Sequence, residues 1–322
     1  MFSLHLRLYF LMGIFFGIIY FVIFIVGNIA GFGNNIFYLL MAGGMVLLQY
    51  LIGPKMVEWT MRIRYVTQNE EPALYEMVSE LAQKANIPMP KVGISENHLP
   101  NAFAFGRSLK DGRVCVTSGI VGLLNKNELK AVLAHEVSHL KNRDVLFVTL
   151  LSVVPLVLYY LASSLMWGGS RRYNRESSGG NLAIIGIIMF LLYFVTNLLV
   201  LYASRIREYF ADRGAVELGS KPEYLASALY KLVYGCAKID KDELRETEGL
   251  KAFFANDPSK AEKEFKELRQ LDADRNGRID TDELDTLKDK NVKISFGDKI
   301  METLSTHPNM LKRIKALSEL KV

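Results

Sequence analysis

The chain has 322 residues, of which 50% are hydrophobic and 23% are charged, and its net charge is +5 at pH 7. These averages are ordinary for a soluble protein, yet they combine two different compositions. Residues 8–33, 36–53, 145–167 and 182–204 contain no Asp, Glu, Lys or Arg, so all the charge lies in the rest of the chain. This distribution excludes a wholly soluble enzyme and also a bundle of membrane spans joined by short loops.

The four uncharged stretches predict four transmembrane helices, because a helix needs about 20 apolar residues to cross the hydrocarbon core of a bilayer. The alternative is that some of them are buried helices of a large soluble core, although such helices usually carry polar residues on part of their surface. Lys and Arg residues near the stretches fall mainly on one side of the predicted membrane, and three lie opposite: Arg171, Arg172 and Arg175. By the positive-inside rule, both termini and the soluble part are expected in the cytoplasm.

The basic flanks of these spans also account for the positive net charge. The sequence contains no basic stripe with interleaved aromatic residues and no nucleic-acid-binding motif, so nucleic acid is not expected as a partner. Two soluble blocks remain between and after the predicted spans. The predicted order is a transmembrane hairpin, a soluble block, a second transmembrane hairpin and a second soluble block, over residues 1–54, 55–144, 145–204 and 205–322.

The first soluble block alternates helical and β-like patterns. A helix is predicted over residues 71–86, and short strands are predicted at Lys91–Ser95 and Arg113–Thr117. Asn127 is the expected N-cap of the next helix, over residues 128–140. The second soluble block reads as mostly helical with several breaks.

The decisive motif lies in the last of these helices and reads His-Glu-Val-Ser-His over residues 135–139. Residues four apart share one face of a helix, so His135 and His139 can point at one metal ion while Glu136 lies within reach of a metal-bound water. A hydrolytic zinc site takes three protein ligands and leaves the fourth position to water, whose pKa falls toward about 7. The alternative is a helix with two surface histidines, but chance placement at this spacing is on the order of one in a hundred.

A third protein ligand is required, and Glu208 is the predicted one. A metzincin site would need Gly at position 142 and His at position 145, where this chain has Asn142 and Val145. His139 lies six residues before the third uncharged stretch, and Glu208 lies four residues after the fourth. If both helices run on continuously and those stretches pair as a hairpin, the two residues return to the same membrane face and depth.

Asp212 lies one helical turn beyond Glu208, so both carboxylates can face the histidine helix. Asp212 is expected to bind the free ring nitrogen of a ligand histidine and so to fix the orientation and tautomer of that ring. The alternative is an exposed acidic helix end, in which Glu208 pairs with Arg205 or Arg207.

Four motifs carry a resemblance to a known family: residues 135–144, residues 204–212, Asn101-Ala102-Phe103-Ala104-Phe105-Gly106, and Thr306-His307-Pro308 with Arg313-Ile314. They resemble the HtpX branch of membrane zinc metalloproteases, the family that also contains the CAAX prenyl proteases. The resemblance implies a multi-pass α-helical membrane protein with four transmembrane helices and a cytoplasmic α+β zinc metallopeptidase domain, to which both soluble blocks contribute. It also implies an endopeptidase with one catalytic zinc ion that degrades damaged or misfolded membrane proteins, and unfolded soluble ones, at the cytoplasmic side of the cell membrane.

The resemblance suggests roles for two further segments. The first resembles the edge strand to which an extended substrate adds, and consists of Asn101, Ala102, Phe103 and Ala104. Taken without the resemblance, Phe103 would be assigned to the core. His307 is expected to stabilise the tetrahedral oxyanion, with Glu136 as the general base. The alternative for His307 is a structural position at the start of a terminal helix over residues 309–320.

A second motif lies outside this resemblance. Residues 272–283 fit the twelve-residue EF-hand calcium loop, with Gly277 at the sixth position, where the loop turns sharply. The expected calcium ligands are Asp272, Asp274, Asn276, Arg278 through its main-chain carbonyl, Asp280 and Glu283. The alternative is a solvated acidic turn between two helices. One Ca²⁺ ion is therefore expected, either structural or as a regulator that orders residues 255–300 and adjusts substrate access or the position of His307.

Two other functions compete with this interpretation. A CAAX-type prenyl-protein processing peptidase would be expected to have more membrane spans around a large chamber. A non-enzymatic membrane scaffold or calcium sensor would be expected to lack a catalytic group, whereas both motif histidines, Glu136 and Glu208 are present. The expected partners are polypeptide substrates, chiefly membrane proteins, and the lipid bilayer.

Overall fold

The computed structural model of the chain describes residue 47 and residues 51–168, 179–237, 261–289 and 296–320. The first two predicted transmembrane helices lie almost entirely outside the described residues, as do parts of the segment 255–300. The described residues divide into two compact units. The first unit contains the described parts of Met1–Gly53 and Leu146–Ile206, and the second contains those of Pro54–Val145 and Arg207–Val322.

The second unit contains a four-stranded sheet with the order β1-β2-β4-β3. Its strands are β1 Ile63–Tyr65, β2 Lys91–Ser95, β3 Ala102–Phe105 and β4 Arg113–Thr117. The central pair β2 and β4 is parallel, whereas β1 and β3 pair antiparallel to their neighbours. The strands predicted at residues 91–95 and 113–117 agree with β2 and β4. Within the described sheet, β3 is an edge strand.

Three helices accompany this sheet: α1 Pro72–Ala85, α2 Ser118–Leu123 and α3 Lys126–Lys141. The prediction that Asn127 caps α3 is wrong, because the cap is Asn125. Asn125 Oδ1 accepts hydrogen bonds from the N–H groups of residues 127 and 128, and Glu128 Oε2 accepts one from the Asn125 N–H at 2.9 Å. This reciprocal capping box satisfies more of the free N–H groups of the first turn than a cap at Asn127 would.

Two long helices follow, α4 Asp144–Gly168 and α5 Gly179–Glu217. The expectation that the histidine helix continues into the third uncharged stretch is wrong, because α3 ends at Lys141 and Arg143 adopts a left-handed conformation with φ 56°. In the first unit, the apolar cluster includes Leu158, Met189 and Ala203. By length and composition, Ile184–Glu217 is the one helix of the described residues that is long and apolar enough to cross a membrane.

The remaining helices of the second unit are α6 Pro222–Ala237, α7 Ala261–Leu268, α8 Thr281–Asp289, α9 Phe296–Thr303 and α10 Met310–Ser318. Helix α6 packs against α3, α7 and α10, and together they bury the main apolar core. The terminal helix predicted over residues 309–320 corresponds to α10. Asn309 caps it by accepting a hydrogen bond from the Leu311 N–H at 2.9 Å, so Pro308 lies outside the helix.

Candidate metal centre

The structure brings His135 and His139 of α3 together with Glu208 of α5. The two Nε2 atoms lie 3.1 Å apart, and each lies 3.6 Å from an oxygen of Glu208. Ligand atoms about 2.0–2.1 Å from a tetrahedral zinc ion lie about 3.4 Å from one another, so the spacing fits a zinc ion. The carboxylate of Glu208 is buried at 6% exposure, and one of its oxygens faces each Nε2 atom. Two imidazoles and one carboxylate form a donor set that suits zinc.

Close helix packing sets this geometry. Ser138 lies between the two histidines and is 1% exposed, and Gly214 faces it from α5. A Cβ atom at Gly214 would lie 2.0 Å from Ser138 Oγ and 2.8 Å from Ser138 Cβ, so rotation of the serine hydroxyl alone could not relieve the clash. The absence of a side chain at Gly214 therefore permits α5 to approach α3 closely enough for Glu208 to reach both histidines.

Carboxylates hold the outer nitrogens of both histidine rings. Asp212 Oδ1 lies 2.9 Å from His135 Nδ1, and Asp144 Oδ2 lies 2.6 Å from His139 Nδ1. In the neutral rings, protons on the Nδ1 atoms leave both Nε2 atoms with free lone pairs that point toward Glu208, which is the arrangement that a metal requires. The contact of Asp212 was expected from its position one turn after Glu208, whereas that of Asp144 was not.

Asp144 was missed because of the break after α3. On a continuous helix, a residue five positions after His139 would lie about 140° around the axis and would point away from the ring. The left-handed conformation of Arg143 instead turns Asp144 back toward His139. A helix that stops at an Asn-Arg-Asp sequence was the only signal available, and it is a weak one.

Two buried arginines compensate the acidic groups. Arg313 is 1% exposed; its Nη1 lies 2.9 Å from Glu208 Oε2, and its Nε and Nη2 donate hydrogen bonds to Asp212 at 2.9 and 2.6 Å. Arg207 contacts Asp144 and donates to the main-chain carbonyl of Asn142 at 3.2 Å. Buried carboxylates are stable only when they are paired. Glu208, at 6% exposure, is therefore not the exposed helix end of the alternative interpretation.

The titration of the two histidines is strongly asymmetric. Burial alone would lower both pKa values, but hydrogen bonds to Asp212 and Glu208 raise the pKa of His135 to about 9. Burial and the adjacent charge of His135 lower the pKa of His139 to about 4. At neutral pH and without metal, His139 is therefore neutral and the ring of His135 carries a second proton, which a metal ion would displace.

Glu136 lies beside the pair, and it contacts the edge strand of the sheet. Its carboxyl is 6% exposed, burial raises its pKa, and it accepts a hydrogen bond from the Ala104 N–H. A buried carboxyl with a raised pKa is suited to accept and return a proton.

Strand β3 faces β4 on one side only. Asn101 O accepts from the Thr117 N–H, and in an antiparallel pair the bonded and non-bonded positions alternate. The main-chain groups of Ala102 and Ala104 therefore point away from β4. The side chain of Phe103 is 6% exposed and packs in a small apolar cluster with Val57 and Cys115, so it belongs to the core.

His307 lies just before α10, with its Nδ1 atom 3.3 Å from Glu208 Oε1. Both of its ring nitrogens are buried, and apart from this contact with Glu208 they have no hydrogen-bond partner among the described residues. The structure thus brings His307 to the edge of the His135, His139 and Glu208 cluster, where an oxygen of a bound substrate could accept its N–H.

A second acidic cluster lies in the predicted calcium loop. One oxygen each from Asp272, Asp274 and Glu283 lies within 4.8 Å of the others. Asp280 is not part of this cluster, and its Oδ1 instead accepts a hydrogen bond from the Glu283 N–H at 3.1 Å. The two other predicted ligands bond within the loop, where the Arg278 N–H donates to Asn276 Oδ1 at 2.8 Å.

The buried donor set takes two histidines from α3 and one glutamate from α5, and a second glutamate, Glu136, lies next to the first histidine on α3. This combination is typical of a metallopeptidase. The chain belongs to peptidase family M48, whose model matches residues 68–321, and the resemblance to HtpX proteases is confirmed. The protein is therefore a metalloprotease with the mostly helical M48 fold, and zinc is the usual metal of this family.

Several relatives are similar over most of their length. A protease HtpX homolog of Methanothermobacter thermautotrophicus is 50% identical over 239 residues, which are 74% of this chain and 89% of that relative. A protease HtpX homolog of Aquifex aeolicus is 33% identical over 300 residues, which are 91% of this chain and 86% of that relative. The crystal structure of S. mikatae Ste24p matches 98% of this chain and 64% of its own, with a TM-score of 0.52 and 18% identity, which is a likeness of fold alone.

Proposed function

We propose that this metalloprotease is a zinc-dependent endopeptidase that cleaves damaged or misfolded membrane proteins, and unfolded soluble ones, on the cytoplasmic side of the cell membrane. The main observation behind the proposal is the spacing of the His135 and His139 Nε2 atoms and the Glu208 oxygens. This spacing fits the coordination of one zinc ion. Family membership and the HtpX relatives support proteolysis as the reaction.

Different residues of the chain perform the separate tasks of peptide hydrolysis. His135, His139 and Glu208 would hold the zinc ion, which when bound supplies a Lewis acid for a water molecule and for the scissile carbonyl. Glu136 accepts a proton from the attacking water on a carboxylate oxygen and passes it to the nitrogen of the leaving amine. His307 donates a ring N–H to the oxyanion of the tetrahedral intermediate, since its nitrogens have no other partner among the described residues.

The substrate is proposed to bind as an additional strand along β3. The main-chain groups of Ala102 and the carbonyl of Ala104 point away from β4 and can pair with an extended peptide. The bond from the Ala104 N–H to Glu136 puts this edge next to the general base, so the peptide would pass the catalytic groups. Asn101, at 0% exposure, anchors the start of the strand, because its N–H donates to Thr117 Oγ1 at 2.8 Å.

The membrane topology is part of the proposal. Two transmembrane hairpins at residues 1–54 and 145–204 would alternate with two parts of a catalytic domain at 55–144 and 205–322, both in the cytoplasm. The long apolar helix Ile184–Glu217 and the distribution of Lys and Arg support this arrangement. Labelling of cysteines introduced at exposed positions of the two sides, in sealed membrane vesicles of known orientation, tests it.

One calcium ion in the loop over residues 272–283 completes the proposal, with the expected ligands Asp272, Asp274, Asn276, Arg278 through its carbonyl, Asp280 and Glu283. The carboxylate cluster within 4.8 Å supports a cation at this position.

The CAAX-type processing peptidase is the second candidate function, favoured only by the structural likeness to Ste24p. A non-enzymatic scaffold is disfavoured by the presence of every group that hydrolysis needs.

The deciding experiment digests a panel of membrane proteins, unfolded soluble proteins and a prenylated peptide with the detergent-purified chain, beside the Glu136→Gln variant. The variant is expected to bind the same amount of zinc and to lose proteolysis by about 10²–10⁴-fold, because it lacks only the proton acceptor. Metal content is measured on both preparations. A zinc-loaded Glu136→Gln protein with wild-type activity would contradict the assignment, and cleavage of the prenylated peptide alone would favour the second candidate.

A further inference from the structure

The calcium loop is built into the core of the second unit. Ile279, at the eighth loop position, is 2% exposed, and Leu268, at the end of α7, is fully buried. Both belong to the same apolar cluster as Ile314 of α10. EF-hands usually work in pairs, and here the protease unit itself covers the apolar side of the loop.

The loop also holds a buried oxygen that lacks a partner. Asp272 is 6% exposed, and its Oδ2 accepts hydrogen bonds from the Gly277 N–H and the Tyr230 hydroxyl, both at 3.0 Å. Its Oδ1 is buried and has no hydrogen-bond partner in the part of the chain that the structure describes. This carboxylate lies within 4.8 Å of those of Asp274 and Glu283. A buried carboxylate oxygen without a donor is unfavourable unless a cation occupies the place.

Basic side chains that the structure describes near the cluster do not pair with its carboxylates directly. Among the described residues, none of the three carboxylates of Asp272, Asp274 and Glu283 forms an ion pair with Lys or Arg. Three negative charges at this separation repel one another. Oxygen-only ligands at EF-hand spacing, with Glu at the twelfth position, select Ca²⁺ over transition metals.

The helix after the loop connects it to the metal centre. Helix α8 packs on α10, and the carbonyl of its buried residue Leu287 accepts a hydrogen bond from Lys315 Nζ at 3.0 Å. Arg313 lies two residues earlier on α10, where it contacts Glu208 and Asp212. One helix–helix contact therefore separates the calcium loop from the arginine that holds the predicted third zinc ligand.

We propose that Ca²⁺ bound in this loop fixes α8 against α10 and thereby holds Arg313 on Glu208, so that calcium activates the peptidase. This regulation rests on the proposed function, in which Glu208 binds zinc. Without the ion, mutual repulsion of the three carboxylates opens the loop, and α8 restrains α10 less. Calcium and zinc binding are then coupled, because both favour the same position of α10.

The test uses the full-length chain in detergent, freed of calcium on a chelating resin, then loaded with zinc and titrated with CaCl₂. Calorimetry is expected to detect one Ca²⁺ site, and hydrogen exchange of the amides of α10 is expected to slow. Zinc release to an indicator dye is expected to slow, and proteolysis to accelerate, by about fivefold or more. Mg²⁺ at the same concentration is expected to reproduce neither effect, because it prefers a smaller octahedral site.

Two ligand variants and a matched control assign the effect to the loop. Glu283→Gln and Asp274→Asn each remove one ligand charge, and both are expected to abolish the response of proteolysis and of α10 exchange to Ca²⁺. Asp285→Asn removes the same charge from an exposed position just outside the loop and is expected to keep the response. Two separate ligand variants distinguish loss of the ion from a misfolded loop.

The outcomes separate the two proposals. Failure to bind Ca²⁺ would overturn the site, and binding without any change in α10 exchange or proteolysis would overturn the regulation. A zinc-loaded protein that is inactive at every Ca²⁺ concentration would refute the proposed peptidase function instead. In that case hydrogen exchange at α10 still decides whether the loop controls this helix.

Discussion

Replacing Asp144 by Asn tests whether the carboxylate on the His139 ring tunes the metal centre. Asp144 is 6% exposed, and its Oδ2 lies 2.6 Å from His139 Nδ1, a distance typical of a charge-assisted hydrogen bond. Loss of a carboxylate that holds a ligand histidine lowers metal affinity about 10–100-fold, which is about 1.4–2.7 kcal/mol. Asn keeps the size of the side chain, so the change removes only the charge, which also pairs with Arg207.

Zinc affinity is measured by competition with a chromogenic chelator on the detergent-purified chain. The matched control is Glu80→Gln. The Glu80 carboxylate lies on α1 and pairs at 2.5 Å with Lys130 of α3, the helix that carries His139. Surface ion pairs contribute about 0–1 kcal/mol to stability, and this one touches no candidate ligand, so its loss is expected to leave zinc affinity unchanged. Wild-type zinc affinity in the Asp144→Asn protein would refute the role of this carboxylate.

Arg313→Met leaves two buried carboxylates with less compensation and is expected to lower the free energy of unfolding by about 3–5 kcal/mol, measured by thermal denaturation, with Arg313→Lys recovering part of it. Gly214→Ala is expected to cost about 1–3 kcal/mol of stability and to lower zinc affinity, because α5 must move away from Ser138. His307→Ala is expected to lower kcat about 10²–10³-fold at unchanged zinc content; loss of zinc would contradict the oxyanion role. At pH 7, zinc binding is expected to release about one proton, because the pKa of His135 is raised to about 9, and this release should vanish above that pH in calorimetry with different buffers.

The local patterns of the sequence were sufficient for the central strands and for the histidine helix. Strands β2 and β4 are five-residue runs bounded by turn residues, and the spacing of His135 and His139 alone predicts that they share one face. Strand β1 has three residues, too few for an alternating pattern, and sequence reasoning missed it. The capping residue of α3 was misplaced by two positions, because Asn125 and Asn127 offer equivalent side chains and the decision rests on the reciprocal bond with Glu128.

The sequence predicted only some of the contacts that distant parts of the chain make at the metal centre. The hairpin argument selected Glu208 although its assumption of a continuous helix after His139 was wrong, since the argument depended on membrane depth more than on helix phase. Arg313 is 101 residues from Asp212 in sequence, and its motif in the chain gave no indication that it would hold two carboxylates. Such pairings depend on how distant helices pack, and a single sequence carries no direct signal of that packing.

The edge strand beside Glu136 has a consequence for the choice of substrates. The phenylalanine side chains of β3 are turned into the core, so what this strand offers a visiting peptide is mostly its main chain. Every polypeptide carries the same main-chain groups, but a folded protein has already committed them to its own helices and sheets. A peptidase of this design would sort its targets by whether several consecutive residues have lost their secondary structure, and the stability of a target, more than its sequence, would decide how long it survives.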